Sequence, residues 1–217
     1  MLDLKERIAQ RAAQELRPGD VVNLGIGLPM KVARFLPGGV DVTFESENGF
    51  LGIATGAEVT EPQPDLLDAG GHYSAIRPGA CFFDSAESFG LIRGGHIDIT
   101  VLGAMQVDQH GNLANWAVPG KLVVGMGGAM DLVVGARRVI IAMQHTSKGT
   151  PKIMKDCTLP LTAVHVVDTI ITEMGVIQVM PEGLELTERF SDYTVEQIQA
   201  ATEAPLKISK TLKVLDV

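Results

Sequence analysis

Short apolar runs rich in β-branched residues alternate along this chain with amphipathic segments, and that alternation restricts the fold more than any other feature. Leu4, Ile8, Ala12 and Leu16 recur every fourth residue, which predicts a first helix with one apolar face, ending at the RPGD of 17–20. VVNLGIGLP (21–29) reads as a buried strand running into a glycine loop, with Pro29 opening a second helix over Met30–Phe35. DVTFES (41–46) is a further strand, and the Pro-, Gly- and Asp-rich stretch from Glu58 to Gly79 reads mostly as loop. FDSAESFGLIRGG (83–95) predicts a capped helix and IDITVLGAMQVD (97–108) a buried strand, followed by a turn into another strand at QHGNLANW (109–116). AMDLVVGA (129–136) begins a short helix, RRVIIAMQHT (137–146) is a strand, and LTAVHVVDTIITEMGVIQVM (161–180) reads as a helix with a following strand. Thr194 and Gln197 have the spacing of a capping box that starts a last helix. Strands alternating with helices predict an α/β fold, an open and largely parallel sheet flanked by helices. With no repeat or linker in view, residues 1–217 are expected to form a single domain.

At 217 residues, 46% of them hydrophobic, the chain is long enough to bury a substantial core. Its net charge of −8 argues against nucleic acid as a main partner, although glycine loops can still bind anionic ligands. Cys81 and Cys157 form no C-x-x-C motif, so neither a zinc site nor a disulfide framework is expected and a cytoplasmic location is. The N-terminal MLDLKERIAQRAAQEL mixes charge with apolar residues and is read as neither a signal peptide nor an anchor. The most apolar long run, 121–136, is broken by Asp131 and by glycines, so no membrane span is expected.

In open α/β sheets ligands bind beyond the carboxyl ends of strands. Three glycine-bearing segments fall there: NLGIGLP (23–29), ESENGFLG (45–52) and GMGGAMD (125–131). Each taken alone is equally a structural turn; together they point to a shared site. Gly25 and Gly27 lack the spacing of a dinucleotide fingerprint, no nucleotide-binding G-x-x-x-x-G-K-[ST] occurs, and Ser46 has no G-x-S-x-G context. The five histidines show no metal-binding spacing and read as surface or structural residues. Glu47 is the notable group. In a tight turn after a strand it can serve as a general base, a metal ligand or a nucleophile, or simply cap a helix. As a nucleophile it needs no activating base, being ionised at neutral pH with an ordinary pKa of about 4.3. It does need orientation and donors aimed at a developing oxyanion, which the amides of a glycine-rich turn can supply.

SENG (46–49), VNLGIGLP (22–29), GMGGAMDLV (125–133), HTSKGTPKI (145–153) and CTLPLT (157–162) resemble segments of the B (β) subunit of class I coenzyme A transferases. That fold is related to the ribose-5-phosphate isomerase-like group. The resemblance implies that Glu47 is a catalytic nucleophile that passes through an acyl–glutamyl anhydride to a glutamyl–CoA thioester. It implies that Gly128 offers a backbone amide to the oxyanion and that Asn23 contacts the glutamate. Gly25, Gly27, Asn48, Gly49 and Gly127 would shape the substrate and CoA pocket. Glu45 is expected to be a structural or solvent-facing neighbour. The implied enzyme exchanges coenzyme A, as substrate rather than resident cofactor, between an acyl-CoA and a short 3-oxoacid such as acetoacetate. It uses no metal and pairs with an A (α) subunit as α2β2. Two other readings stay open: a sugar-phosphate isomerase-like enzyme with Glu47 as general base, and a non-catalytic binding protein of the same fold.

Overall fold

The computed structural model of the protein describes residues 3–55 and 63–216. Helix α1 (Leu4–Ala13) leads into β1 (Val21–Leu24), a 3-10 helix (Pro29–Phe35), β2 (Thr43–Ser46), β3 (Phe50–Ile53) and β4 (Ile76–Phe82). Then come α2 (Ser85–Arg93), β5 (Ile99–Leu102), β6 (Gln106–Asp108), β7 (Leu113–Ala114), β8 (Ala117–Val118), β9 (Leu122–Val123) and α3 (Ala129–Gly135). The chain continues through β10 (Arg138–Ala142), β11 (Thr146–Ser147), β12 (Thr150–Pro151), β13 (Ile153–Met154), β14 (Thr169–Ile171), β15 (Gly175–Met180), β16 (Gly183–Phe190), α4 (Val195–Ala200) and β17 (Leu206–Leu215).

Ten strands form one sheet in the order β17-β16-β15-β14-β10-β5-β1-β2-β3-β4. Its centre, β14-β10-β5-β1-β2, is parallel throughout, and antiparallel hairpins extend it on both sides. A parallel centre must be covered on both faces, and here each face has its own core. Ile8, Ala9, Ala12 and Ala13 of α1 pack on Val22, Phe44, Ile99, Val101, Ile140 and Ala142. On the opposite face, Ile92 of α2, Leu132 and Val133 of α3 and Ile198 of α4 pack with Leu102, Val139, Ile141 and Ile170. Alternation along β10 is the clearest case: Val139 and Ile141 go to one core, Ile140 and Ala142 to the other.

The predicted first helix is present and carries a capping box between Asp3 and Glu6; the one expected at Thr194 and Gln197 is present too. The second helix is present over Pro29–Phe35 as a 3-10 helix with Pro29 at its start. Three expectations need correction. Of the expected 58–79 loop, 58–62 lie outside the described residues and the far end belongs to strand β4. The run 97–108 is two strands, β5 in the main sheet and β6 in a small separate one. The largest correction is at 161–180, where β14 and β15 form a hairpin and no helix precedes them. His165 sits at φ 53°, in the left-handed region that an α-helix does not traverse. The amides of Val166 and Val167 bond instead to the Gly111 carbonyl, and β14 joins β10 in parallel.

Arg11 of α1 reaches Glu188 of β16 at 2.6 Å and Glu15 at 2.8 Å, tying the helix to the sheet. At the far edge, β17 leaves Lys207, Lys210 and Lys213 exposed.

Candidate active site

The site begins with a turn. Glu47, Asn48 and Gly49 reverse the chain between β2 and β3, with the Gly49 amide bonded to the Ser46 carbonyl at 2.9 Å. Gly49 has φ 131°, and a Cβ there would lie 2.2 Å from the Phe83 carbonyl oxygen, so only glycine fits. The turn is also fastened from outside. Ser46 Oγ accepts from the Ala69 amide at 2.9 Å, and the Asn48 side-chain amide donates to the Leu67 carbonyl at 2.8 Å.

Pleat parity then determines what lies beneath Glu47. Val22, Phe44, Ile99 and Val101 face the α1 core, so Asn23, Glu45 and Thr100 face α2. Register sets these three side by side, Asn23 opposite Glu45 on one flank and opposite Thr100 on the other. All three are buried, and Ser88 of α2, fully buried as well, closes the row from above. The Asn23 side-chain amide donates to Glu45 Oε2 at 2.7 Å and to Glu47 Oε2 at 3.1 Å. Ser88 Oγ donates to Glu45 Oε1 at 3.0 Å, and the Thr100 hydroxyl lies 3.5 Å from Asn23 Oδ1. Burial pushes the Glu45 carboxyl up to about 7; the bonds from Asn23 and Ser88 oppose the rise and the nearby Glu47 adds to it.

Glu47 is half-buried and lines a cleft of about 510 Å³ with Gly25, Ile26, Met105, Asn115 and the 124–129 loop. Gly128 stands across from it: a Cβ there would be 3.6 Å from Glu47 Cγ and 3.0 Å from the Phe89 ring. Among the described residues no backbone carbonyl accepts from the Gly128 amide. A carboxylate and a glycine whose amide has no backbone acceptor among the described residues therefore line one cleft. Among the described residues no Lys or Arg lines this cleft, and no cluster of His, Cys, Asp or Glu is arranged to hold a metal ion.

Of the residues singled out in the sequence, Glu47, Gly25, Gly127 and Gly128 line the cleft, and Asn23 supports it from below. Gly49 shapes the turn. Asn48 and Gly27 are outside the cleft lining, Asn48 bound to the loop at 67 and Gly27 exposed at φ 89°. Glu45, expected as either a structural or a solvent-facing neighbour, is the former: only 2% of it is accessible. Sequence reasoning missed Ser88, Thr100 and Phe89. Ser88 left a faint signal, since it stands four residues before Ile92 on the buried side of α2.

A family model described as coenzyme A transferase matches residues 5–201. The chain is 54% identical over 212 residues to the beta subunit of the acetate CoA-transferase of Escherichia coli K12, covering 97% of each. It is 46% identical over 213 residues to the B subunit of a probable succinyl-CoA:3-ketoacid coenzyme A transferase of Bacillus subtilis, covering 98% of this chain and 99% of the relative. Among solved structures, the acyl-CoA transferase YdiF from E. coli O157:H7 aligns with all of this chain at a TM-score of 0.81 and 23% identity, a likeness of fold. This chain spans 44% of that protein's chain.

Proposed function

This chain belongs to the coenzyme A transferase family as a β, or B, subunit, and on that premise we propose that Glu47 is the nucleophile of a divided active site. The Glu47 carboxylate adds to the thioester carbonyl of an acyl-CoA. The carbon–sulfur bond breaks, giving an acyl–glutamyl anhydride and the CoA thiolate. The thiolate then attacks the glutamyl carbonyl and releases the first carboxylate, leaving a glutamyl–CoA thioester. An incoming carboxylate runs the two steps in reverse and departs as the new acyl-CoA. The Gly128 amide donates to the oxyanion that forms at each tetrahedral stage. Asn23 holds Glu47 by one oxygen, leaving the other to attack.

The observation that carries this reading is the juxtaposition of a hydrogen-bonded Glu47 with the unengaged Gly128 amide in one cleft. The lining of that cleft offers a sugar phosphate no Lys or Arg, and the relatives are named as CoA transferases, which favours the transferase reading. The relatives' names lead us to propose succinyl-CoA or another short acyl-CoA as donor and acetate or a short 3-oxoacid such as acetoacetate as acceptor. Their designation as subunits supports a partner A (α) subunit, which we propose completes the cleft in an α2β2 assembly of single-domain chains. No described helix is long and apolar enough to cross a membrane. A cytoplasmic location is part of the same proposal.

Intact mass spectrometry after incubation with acetoacetyl-CoA tests it directly. A CoA-sized adduct on Glu47, formed only with the α partner present and absent from Glu47→Gln, is the expected result. An adduct on the isolated chain would remove the divided site. No adduct across several short acyl-CoAs, with the partner present, would remove the nucleophile.

A further inference from the structure

We propose that Glu45 is a positioning residue that sets both the orientation of the Glu47 carboxylate and the charge that an incoming acid meets. This rests on the reading of Glu47 as nucleophile and adds a second carboxyl to the working site. The geometry is specific. One side-chain amide, that of Asn23, has two hydrogens and two carboxyl acceptors, Glu45 at 2.7 Å and Glu47 at 3.1 Å. The shorter bond goes to the buried partner, so Glu45 fixes the plane of the amide and thereby the place of the second N–H. Ser88 locks the other Glu45 oxygen.

The same bridge links their charges. Glu45 and Glu47 stand two residues apart, yet both converge on the Asn23 amide because the turn folds Glu47 back over the sheet. Among the described residues the elements packed on Glu45 bring it no cation: β1 contributes Asn23 and α2 Ser88, with Thr100 of β5 on the far flank of Asn23. Leu51 of β3 is its register partner, and Asp68 shares a small adjoining cavity with its backbone neighbours. Glu47 is the charged group that raises its proton affinity, beyond the effect of burial itself. With its proton retained, Glu45 leaves a single negative charge at the site, and Ser88 can turn to accept the carboxyl O–H. With that proton released to water, Glu45 adds a negative charge, and in the thioester, where Glu47 itself is uncharged, that charge faces every carboxylate that approaches.

Transfer to an acid is therefore expected to slow as Glu45 ionises, at a pH set chiefly by its burial, because the thioester removes the Glu47 charge. The test uses the complete enzyme, with its α partner, charged as the glutamyl–CoA thioester and mixed with acetate from pH 5.5 to 9, rates being referred to the ionised acetate, which predominates throughout. The second-order rate of the wild type should fall on the order of tenfold on the alkaline side, as for one added charge a few ångströms from the reacting carbonyl. Glu45→Gln, which keeps the shape and can still bond Asn23 and Ser88, should show no such limb. An unchanged limb in Glu45→Gln, or no limb in the wild type, overturns the proposal. Infrared difference spectra give a readout independent of turnover: a protonated carboxyl titrating near neutrality, lost in Glu45→Gln and shifted to lower pH in Glu47→Gln. Absence of that band in the wild type also overturns it. Failure of the thioester to form at all would instead sink the nucleophile assignment, leaving the infrared result to decide the coupling of the two carboxyls.

Discussion

Two glycines of the site make opposite predictions when replaced by alanine. Gly49 combines φ 131° with a carbonyl oxygen 2.2 Å from where a Cβ would sit, and neither the Phe83 backbone nor the turn can yield cheaply. Gly49→Ala is expected to destabilise the chain by more than about 2 kcal/mol, read as a lower denaturation midpoint. Gly128 has an ordinary φ of −83°, and the nearest atom to its Cβ is the edge of the movable Phe89 ring. Gly128→Ala is expected to cost less than about 1 kcal/mol in stability. Its methyl group would occupy cleft space in van der Waals contact with Glu47 and displace the Phe89 ring beside it, and transfer should fall on the order of a hundredfold, the scale of a small misplacement of reacting groups. That Glu47 sits in a glycine turn at the end of a strand was legible in the sequence. The residues alone left a helix cap equally open, and only the resemblance of SENG to a known signature singled it out. The burial of Glu45 was not legible. Alternation says which face it takes, but only the finished sheet, with α2 laid across it, shows that this face is buried.

Among the elements, α1 has the clearest dependence on a single contact. Arg11 is buried, and the Glu188 and Glu15 carboxylates on either side compensate its charge. Among the described residues one guanidinium nitrogen, Nη1, has no hydrogen-bond partner, so the group has little compensation to lose. Glu188→Ala is expected to lower stability by about 3 kcal/mol, the usual consequence of breaking a buried pair from one side, measured by chemical denaturation. Helix α1 itself was readable from its four-residue period and its charged caps. The 161–180 region was not, because its run of β-branched residues satisfies a buried strand as well as a helix. What decided it was non-local: the backbone of β10 waiting for a parallel neighbour, and Thr172 Oγ1 accepting from the Met174 and Gly175 amides to close the hairpin. The β10 partner is not visible within the segment.

At the scale of the whole molecule, two buried groups bend the pH dependence of stability in opposite directions. His145 is fully buried, its ring nitrogens 2.9 Å from Thr172 Oγ1 and 2.8 Å from Thr202 Oγ1. Burial, with a contribution from Lys152, lowers its pKa from 6.5 to about 4. The unfolded chain therefore takes up a proton first, and stability is lost as pH falls from 6.5 towards 4, by about 3 kcal/mol in all. Glu45 is raised from 4.5 to about 7, so its contribution is fully present below 4.5 and is lost as pH rises towards 7. Between 4.5 and 6.5 the two nearly cancel. His145→Gln should unmask the second, and its denaturation midpoint should rise as pH falls from 7 to 4.5 where the wild type stays level. A rise in the wild type, or a level variant, would show that one of the two groups is not held as described. The ten-stranded sheet also has an end that faces outward. A ten-residue strand with unpaired backbone groups is a growth point, inviting the same strand of another molecule to continue the ladder. The lysines spaced along β17, Lys207 and Lys213 within reach of Glu182 and Glu188 and Lys210 between them, put charged side chains at such a junction and disfavour its growth. The ordered array that builds this enzyme's framework is thereby kept from becoming a fibre.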